Sequence, residues 1–276
     1  MYIKLNNAKS NATSYAYTGT HDLASDLETI VFVHGASMDH TVWAHQSRYF
    51  AYHGYNVLAV DLPAHKFSQG ELLPSIERMA EWLNQMIGQM IGQTVGAAFH
   101  IVGHSMGALI ALEAAANFNH PDAGLNSLTL IGFSYPMSVT PQLMDAAQHN
   151  PSEAYSMMTQ WSHRSAIGGE PVPGFWSAGM QLSMMENSTP GAVHTDLVAC
   201  DNYNNGETAF ADIHCPMLFL SGALDKMAPA KLAKAQANKN ECAEIVLIPE
   251  CGHSIMSESP DGVLDELKRF IGGRRK

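Results

Sequence analysis

Charge is scarce in this chain, and positive charge is scarcest. Only 15% of the 276 residues are Asp, Glu, Lys or Arg, and 15 Lys and Arg stand against 26 Asp and Glu, a net charge of −11. That balance argues against nucleic acid or an anionic membrane as the main partner, since both select for basic surfaces. Cysteine is also sparse. Cys200, Cys215, Cys242 and Cys251 show no metal-ligand spacing and are too few for a disulfide scaffold, so they read as free thiols in a reducing compartment. No apolar run approaches membrane-spanning length, and the start, MYIKLNNAKS, lacks a hydrophobic signal segment. A cytoplasmic location is the expectation. His100 and His104 have i, i+4 spacing, but one of them sits in a strand, which disfavours a metal pair. Neither a metal nor a cofactor is expected, and a homo-oligomer is compatible with this composition.

What the chain does have is apolar content, 46%, enough for one full core plus an insertion. Its organising stretch is Phe99 to Phe118, FHIVGHSMGALIALEAAANF. The first half is a short apolar run of the kind that makes a buried strand, and the second is rich in Ala and Leu, the best helix formers. Between them lies Gly103-His104-Ser105-Met106-Gly107, a G-x-S-x-G pattern. A strand turning directly into a helix strains the corner residue and lifts the Ser105 hydroxyl clear of the sheet. The same corner puts Ser105 at a helix N-terminus, where developing negative charge is favoured.

Other segments alternate in the same way. Met1 to Leu5 and Ser14 to Thr18 read as edge strands separated by a polar turn, and Thr29 to His34 as a central strand. Val57 to Asp61, Ser127 to Ile131, Met217 to Ser221 and Glu244 to Pro249 read as further strands, the last three all buried. Ser75 to Gln93 is an amphipathic helix with Ile76, Met79, Leu83, Met86 and Met90 on one stripe, and Leu264 to Ile271 closes the chain as another. Strands alternating with helices imply an α/β fold with a doubly wound, mostly parallel sheet.

One region breaks the rhythm. Residues 133–210 hold no convincing strand but seven of the sixteen methionines, with Tyr135, Tyr155, Trp161, Phe175, Trp176 and Tyr203. The helix-like pieces are broken by Gly and Pro, as in Gly168 to Gly174. This is the composition of an inserted helical lid over an adaptable apolar pocket. The division expected is a core of residues 1–132 and 211–276, with residues 133–210 as the lid.

A serine nucleophile needs a base, a group that orients the base, and an oxyanion site. His253 lies in the loop after the last strand, and Asp225 follows the strand before it. The order Ser105, Asp225, His253, each after a strand, is a triad order. Glu250 is the competing acid. His34-Gly35-Ala36-Ser37 forms a turn that lets backbone approach a ligand closely, with His34 bracing it, while Ser37 and Ser254 read as polar loop residues.

With H-G near the start, G-x-S-x-G, an acidic loop and G-H near the end, the sequence resembles a lidded α/β-hydrolase with a serine nucleophile over nearly its whole length. The resemblance implies Ser105 as nucleophile, His253 as base, Asp225 as orienting acid, and the N–H groups of Ala36 and Met106 as the oxyanion hole. It implies a carboxylesterase acting on small or medium esters. The runner-up is a carbon–carbon bond hydrolase of diketone-like acids, and a third reading is a silent receptor on the same scaffold. Such an acid substrate calls for an inward-facing guanidinium, and Arg164, read as solvent-facing, is the only basic residue among seven acidic ones in residues 133–210. The sequence departs from the family at Asp61-Leu62-Pro63-Ala64-His65-Lys66-Phe67-Ser68, where D-x-P-G-H-G-x-S is frequent. Two missing glycines suggest another path for that loop, remote from the triad.

Overall fold

The computed structural model describes residues 2–6, 12–91, 96, 98–165 and 176–273. Eight strands form one sheet: β1 (Tyr2–Asn6), β2 (Thr13–Tyr17), β3 (Thr29–Val33), β4 (Asn56–Val60), β5 (Ala98–His104), β6 (Gly124–Ile131), β7 (Met217–Gly222) and β8 (Ala243–Ile248). Their order is β1-β2-β4-β3-β5-β6-β7-β8, with β2 antiparallel to β1 and β4 and the remaining pairs parallel. The chain order reverses between β3 and β5. In an open α/β sheet, the carboxyl ends of strands at such a reversal form a crevice that holds ligands.

Helices α1 (Ala44–Tyr52), α2 (Ile76–Met90) and α3 (Met106–Asn117) connect the first half of the sheet. The central strands are buried along their whole length because both faces are covered. Alternate residues divide between the two cores: Val31, Val33, Leu58 and Val60 face α2 and α3, while Ile30, Phe32, Val57 and Ala59 face Trp43, Phe50 and the C-terminal helix. The stripe expected on α2 is buried throughout, and Ser75 caps it by accepting from the Arg78 N–H at 3.3 Å.

Between β6 and β7 the chain inserts α4 (Pro141–His149), α5 (Pro151–Ser162), α6 (Ser177–Glu186), α7 (Ala192–Asn202) and α8 (Gly206–Ala211), with no strand among the described residues. The Gly168 to Gly174 break, Phe175, the end of the α2 prediction beyond Ile91 and the polar turn at residues 7–11 lie outside the described residues. After β7 come α9 (Ala230–Ala237), and after β8 α10 (Ile255–Glu258) and α11 (Pro260–Leu267).

Two expectations are corrected. Strand β8 is only half-buried, because it is the last in the sheet and has no neighbouring strand on its outer side among the described residues. The closing helix begins earlier, at Pro260, and passes into a π-helical turn at Lys268–Gly272 that turns Phe270 and Ile271 inward.

Candidate active site

Strand β5 ends at His104 and α3 begins at Met106, so Ser105 alone makes the corner. Its backbone sits at φ 55°, ψ −120°, a conformation that costs a non-glycine residue on the order of 1–3 kcal/mol. The flanking glycines permit this turn. A Cβ on Gly103 would lie 2.1 Å from the Gly107 carbonyl oxygen, and one on Gly107 would lie 2.3 Å from that of Val33. The Ser105 N–H donates to the Ile131 carbonyl at 2.9 Å, which anchors the corner to β6.

His253, in the loop after β8, holds its Nδ1 2.8 Å from Asp225 Oδ2. The other oxygen of Asp225 accepts the N–H groups of Met227 at 2.9 Å and Ala228 at 2.8 Å. Burial alone would raise the Asp225 carboxyl. The facing His253 and these hydrogen bonds outweigh it and hold the group below the usual carboxylate range. A carboxylate at Nδ1 makes that nitrogen the donor, and in the neutral ring the lone pair is then on Nε2. Nε2 is buried and has no hydrogen-bond partner among the described residues. Ser105 and His253 line one cavity of about 190 Å³.

Close packing fixes the His253 ring. A Cβ on Gly222 would lie 2.0 Å from the Gly252 carbonyl, so the end of β7 and the His253 loop meet backbone to backbone. Gly132, at φ 58°, leaves room for the imidazole, since a Cβ there would come within 2.9 Å of His253 Cε1. His104 points away from the cavity, as expected, and its Nε2 donates to the His253 carbonyl at 3.0 Å. Burial and the neighbouring His253 push the His104 ring down to about 3.

On the other side of the crevice, the Met38 N–H closes a turn onto the Gly35 carbonyl at 3.2 Å. A Cβ on Gly35 would lie 3.3 Å from Ser105 Cβ, so this turn lies against the serine corner, and Ala36 lines the cavity. Met106, as the first residue of α3, has an N–H with no acceptor inside the helix. His34 braces the turn: Nδ1 donates to the Gly35 carbonyl at 2.9 Å and Nε2 accepts the Leu62 N–H at 3.1 Å. Burial, with His65 adjacent, pushes the His34 ring down to about 4.

The rival groups go elsewhere. Glu250 is exposed and sits 3.4 Å from Arg164 Nη1, which also donates to the Glu250 carbonyl at 3.2 Å. Arg164 is half-buried against this loop rather than solvent-facing, and it does not line the cavity. Asp39, His40 and Asp61 bring ligand-type atoms within 4.8 Å of one another. Those atoms already serve internal bonds: His40 Nδ1 to Asp61 at 2.8 Å, and Asp39 to the Thr41 N–H at 2.8 Å and Lys66 at 3.2 Å.

The structure adds residues that sequence reasoning passed over. Lys226, an exposed residue, is the one Lys, Arg, Asp or Glu lining the cavity among the described residues. The Ser162 carbonyl, at the end of α5, accepts the N–H groups of His253 at 2.6 Å and Ser254 at 2.9 Å. Ser254 and Ser37, expected as plain loop residues, are buried and tied to the insert, Ser254 Oγ to Gln181 at 2.5 Å and the Ser37 N–H to Asp196 at 2.8 Å. In the 61–68 loop, Ala64 and Lys66 stand at φ 61° and 47°, the left-handed conformation that glycine favours. That loop also meets the insert, because His65 Nε2 lies 3.1 Å from Asp196. Nothing local marks Ser162, Asp196 or Lys226 in the sequence.

The alpha/beta hydrolase family model matches residues 30–266. This chain belongs to the alpha/beta hydrolase family. Among curated relatives, the hydrolase is 23% identical over 251 residues to (E)-2-((N-methylformamido)methylene)succinate hydrolase of Acinetobacter baylyi, covering 88% of this chain and 90% of that one. Among solved structures, it resembles an esterase from Exiguobacterium antarcticum (TM-score 0.83, 16% identity, 99% and 100% of the two chains). A malate-bound thermophilic esterase from Thermogutta terrifontis gives a TM-score of 0.81 at 18% identity over 100% of both chains. At these identities the structural likeness speaks for the fold. No helix among the described residues is long and apolar enough to cross a membrane.

Proposed function

We propose that this hydrolase is a serine esterase that cleaves small to medium carboxylic esters through an acyl-enzyme on Ser105. The observation that carries the reading is the His253 ring. Its Nδ1 is engaged by Asp225, its Nε2 has no hydrogen-bond partner among the described residues, and His253 lines one cavity together with Ser105. Ser105 Oγ attacks the ester carbonyl as His253 takes its proton. The carbonyl oxygen becomes an oxyanion held by the N–H groups of Ala36 and Met106, each worth on the order of 3 kcal/mol in the transition state. The imidazolium then protonates the departing alcohol, and water, deprotonated by the same ring, releases the acid. Met137, Val139, Leu143, Met158, Trp161 and Leu197 give the cavity an apolar lining suited to a short chain.

A series of p-nitrophenyl esters of increasing chain length tests the reading. Wild type should turn over the short members, and Ser105→Ala should remain folded and lose essentially all turnover. Near wild-type rates in the purified variant would remove Ser105 from the mechanism.

One observation favours a second reading, a substrate bearing a carboxylate. Lys226 in the cavity lining could pair with such a group, and the Acinetobacter relative is named for a succinate derivative. The anionic diketone reading lacks its guanidinium, since Arg164 turns toward Glu250. Preference for a hemiester of a dicarboxylic acid over its neutral diester would favour the second reading.

A further inference from the structure

His65 is buried between two left-handed residues, and both of its ring nitrogens face acceptors. Nδ1 lies 3.0 Å from the Pro63 carbonyl and Nε2 lies 3.1 Å from Asp196 Oδ2. A carbonyl accepts only, and so does an ionised carboxylate. Satisfying both contacts therefore requires a proton on each nitrogen, an imidazolium paired with the Asp196 anion. The surrounding charges agree with this. His34, with its ring 5.0 Å from that of His65, is neutral by its own bonding, and Asp61 adds a second favourable anion. Burial opposes the charge on His65, but Asp196, with the Pro63 bond and Asp61, still raises it above the usual histidine value.

Asp196 belongs to α7 of the insert and is wholly buried. The oxygen that meets His65 also accepts the Ser37 N–H at 2.8 Å. Ser37 stands at φ 54°, a left-handed conformation that a serine keeps only when its surroundings impose it. It is the third residue of the Gly35–Met38 turn, and its preceding neighbour is Ala36. Holding the Ala36–Ser37 peptide by its N–H therefore fixes the turn that carries one of the two oxyanion donors.

We propose that Asp196 and His65 are positioning residues, a buried charged clamp through which the insert sets the Gly35–Met38 turn for transition-state binding. The inference rests on the serine hydrolase reading only for its catalytic consequence. A clamp of this kind acts on preorganisation, so its loss lowers kcat and leaves ground-state binding largely intact.

The test compares wild type with Asp196→Asn, His65→Gln, His65→Ala and the double variant Asp196→Asn with Ser37→Gly. Asp196→Asn should lower kcat for a short p-nitrophenyl ester at least tenfold, with KM within twofold. The affinity for an alkyl boronic acid, which mimics the tetrahedral intermediate on a serine, should fall by a similar factor. Ser37→Gly removes the strain that the clamp imposes and should restore part of the lost kcat. His65→Gln keeps a donor toward Asp196 and should retain several-fold more activity than His65→Ala, and it carries the same test if Asp196→Asn does not fold. Independently of turnover, nitrogen NMR should find His65 protonated on both nitrogens at neutral pH, and hydrogen exchange at the Ser37 amide should speed up in the Asp196 and His65 variants. Unchanged kcat and boronate affinity in the folded variants, or a singly protonated His65, would overturn the clamp. A wild type that binds the boronate but hydrolyses no ester would count against the esterase reading alone. One that binds no boronate would count against Ser105 as the nucleophile, with the clamp still judged by the NMR and exchange data.

Discussion

Replacing His104 by Gln should make the protein more tolerant of acid, by an amount that follows from burial. The His104 ring is held down to about 3 in the folded chain, against an ordinary 6.5 once unfolded. A histidine depressed on folding contributes its full stability above the unfolded value and loses it as pH falls from there toward the folded one. Between about pH 7.5 and about pH 5 the unfolded chain takes up a proton at this position and the folded chain does not, which costs about 2 kcal/mol of folding stability. Glutamine can still donate to the His253 carbonyl, so the 3.0 Å contact behind the base has a replacement that does not titrate. His34, also depressed, adds a parallel loss in wild type and variant alike. His65, raised on folding, contributes fully below 6.5 and loses its contribution as pH rises through its folded value; it too is common to both. The difference between the proteins therefore isolates His104. Urea unfolding followed by tryptophan fluorescence at the two pH values should show the variant losing about 2 kcal/mol less than wild type. Parallel losses, within about 0.5 kcal/mol, would mean that His104 is not held neutral by its surroundings.

Asp225→Asn should lower kcat by about four orders of magnitude while leaving the unfolding midpoint close to wild type, because the imidazole loses the anion that sets its tautomer. Glu250→Gln should leave kcat within about twofold, and the reverse pattern in a steady-state assay would reassign the acid. Lys226→Ala should raise KM for a hemiester of a dicarboxylic acid several-fold and leave a neutral ester unaffected; equal effects on both would deny Lys226 a role in charge selection. Gly107→Ala should abolish folding or activity, since its Cβ would lie 2.3 Å from the Val33 carbonyl and 2.5 Å from that of His34, and soluble, active variant protein would refute that packing.

The sheet was legible in the sequence because its strands are short apolar runs between polar turns, and the elbow because a strand, five residues and an Ala-rich helix leave it one geometry. Ser105, Asp225 and His253 stood out as candidates for the same reason, since each follows a strand, and β7 and β8 place Asp225 and His253 in adjacent loops. Residues that act through the insert did not. Asp196 sits in a helix with no motif, and its partners Ser37 and His65 are 159 and 131 residues away in the chain. Their meeting depends on how α7 packs over the sheet, which no local pattern encodes. The 61–68 loop shows the limit from the other side. Ala64 and Lys66 replace expected glycines, yet the tertiary surroundings hold them in the glycine-like conformation.

The Ser162 carbonyl has a consequence for anyone who would treat the insert as an interchangeable part. A specificity-swapping chimera would normally join a foreign insert at the ends of β6 and β7 and leave the sheet intact. Here the His253 loop donates two hydrogen bonds to the last turn of α5, through the N–H groups of His253 and Ser254, and Glu258 in turn accepts one from the Arg164 N–H at 2.8 Å. A foreign insert would bring its own carbonyl to a different spot, and the imidazole would follow it or lose its support. Residues that line the cavity and the carbonyl that holds the His253 loop are thus covalently the same segment, so altered specificity in this scaffold is more safely sought by point changes around Leu143, Met158 and Lys226 than by exchange of the whole insert.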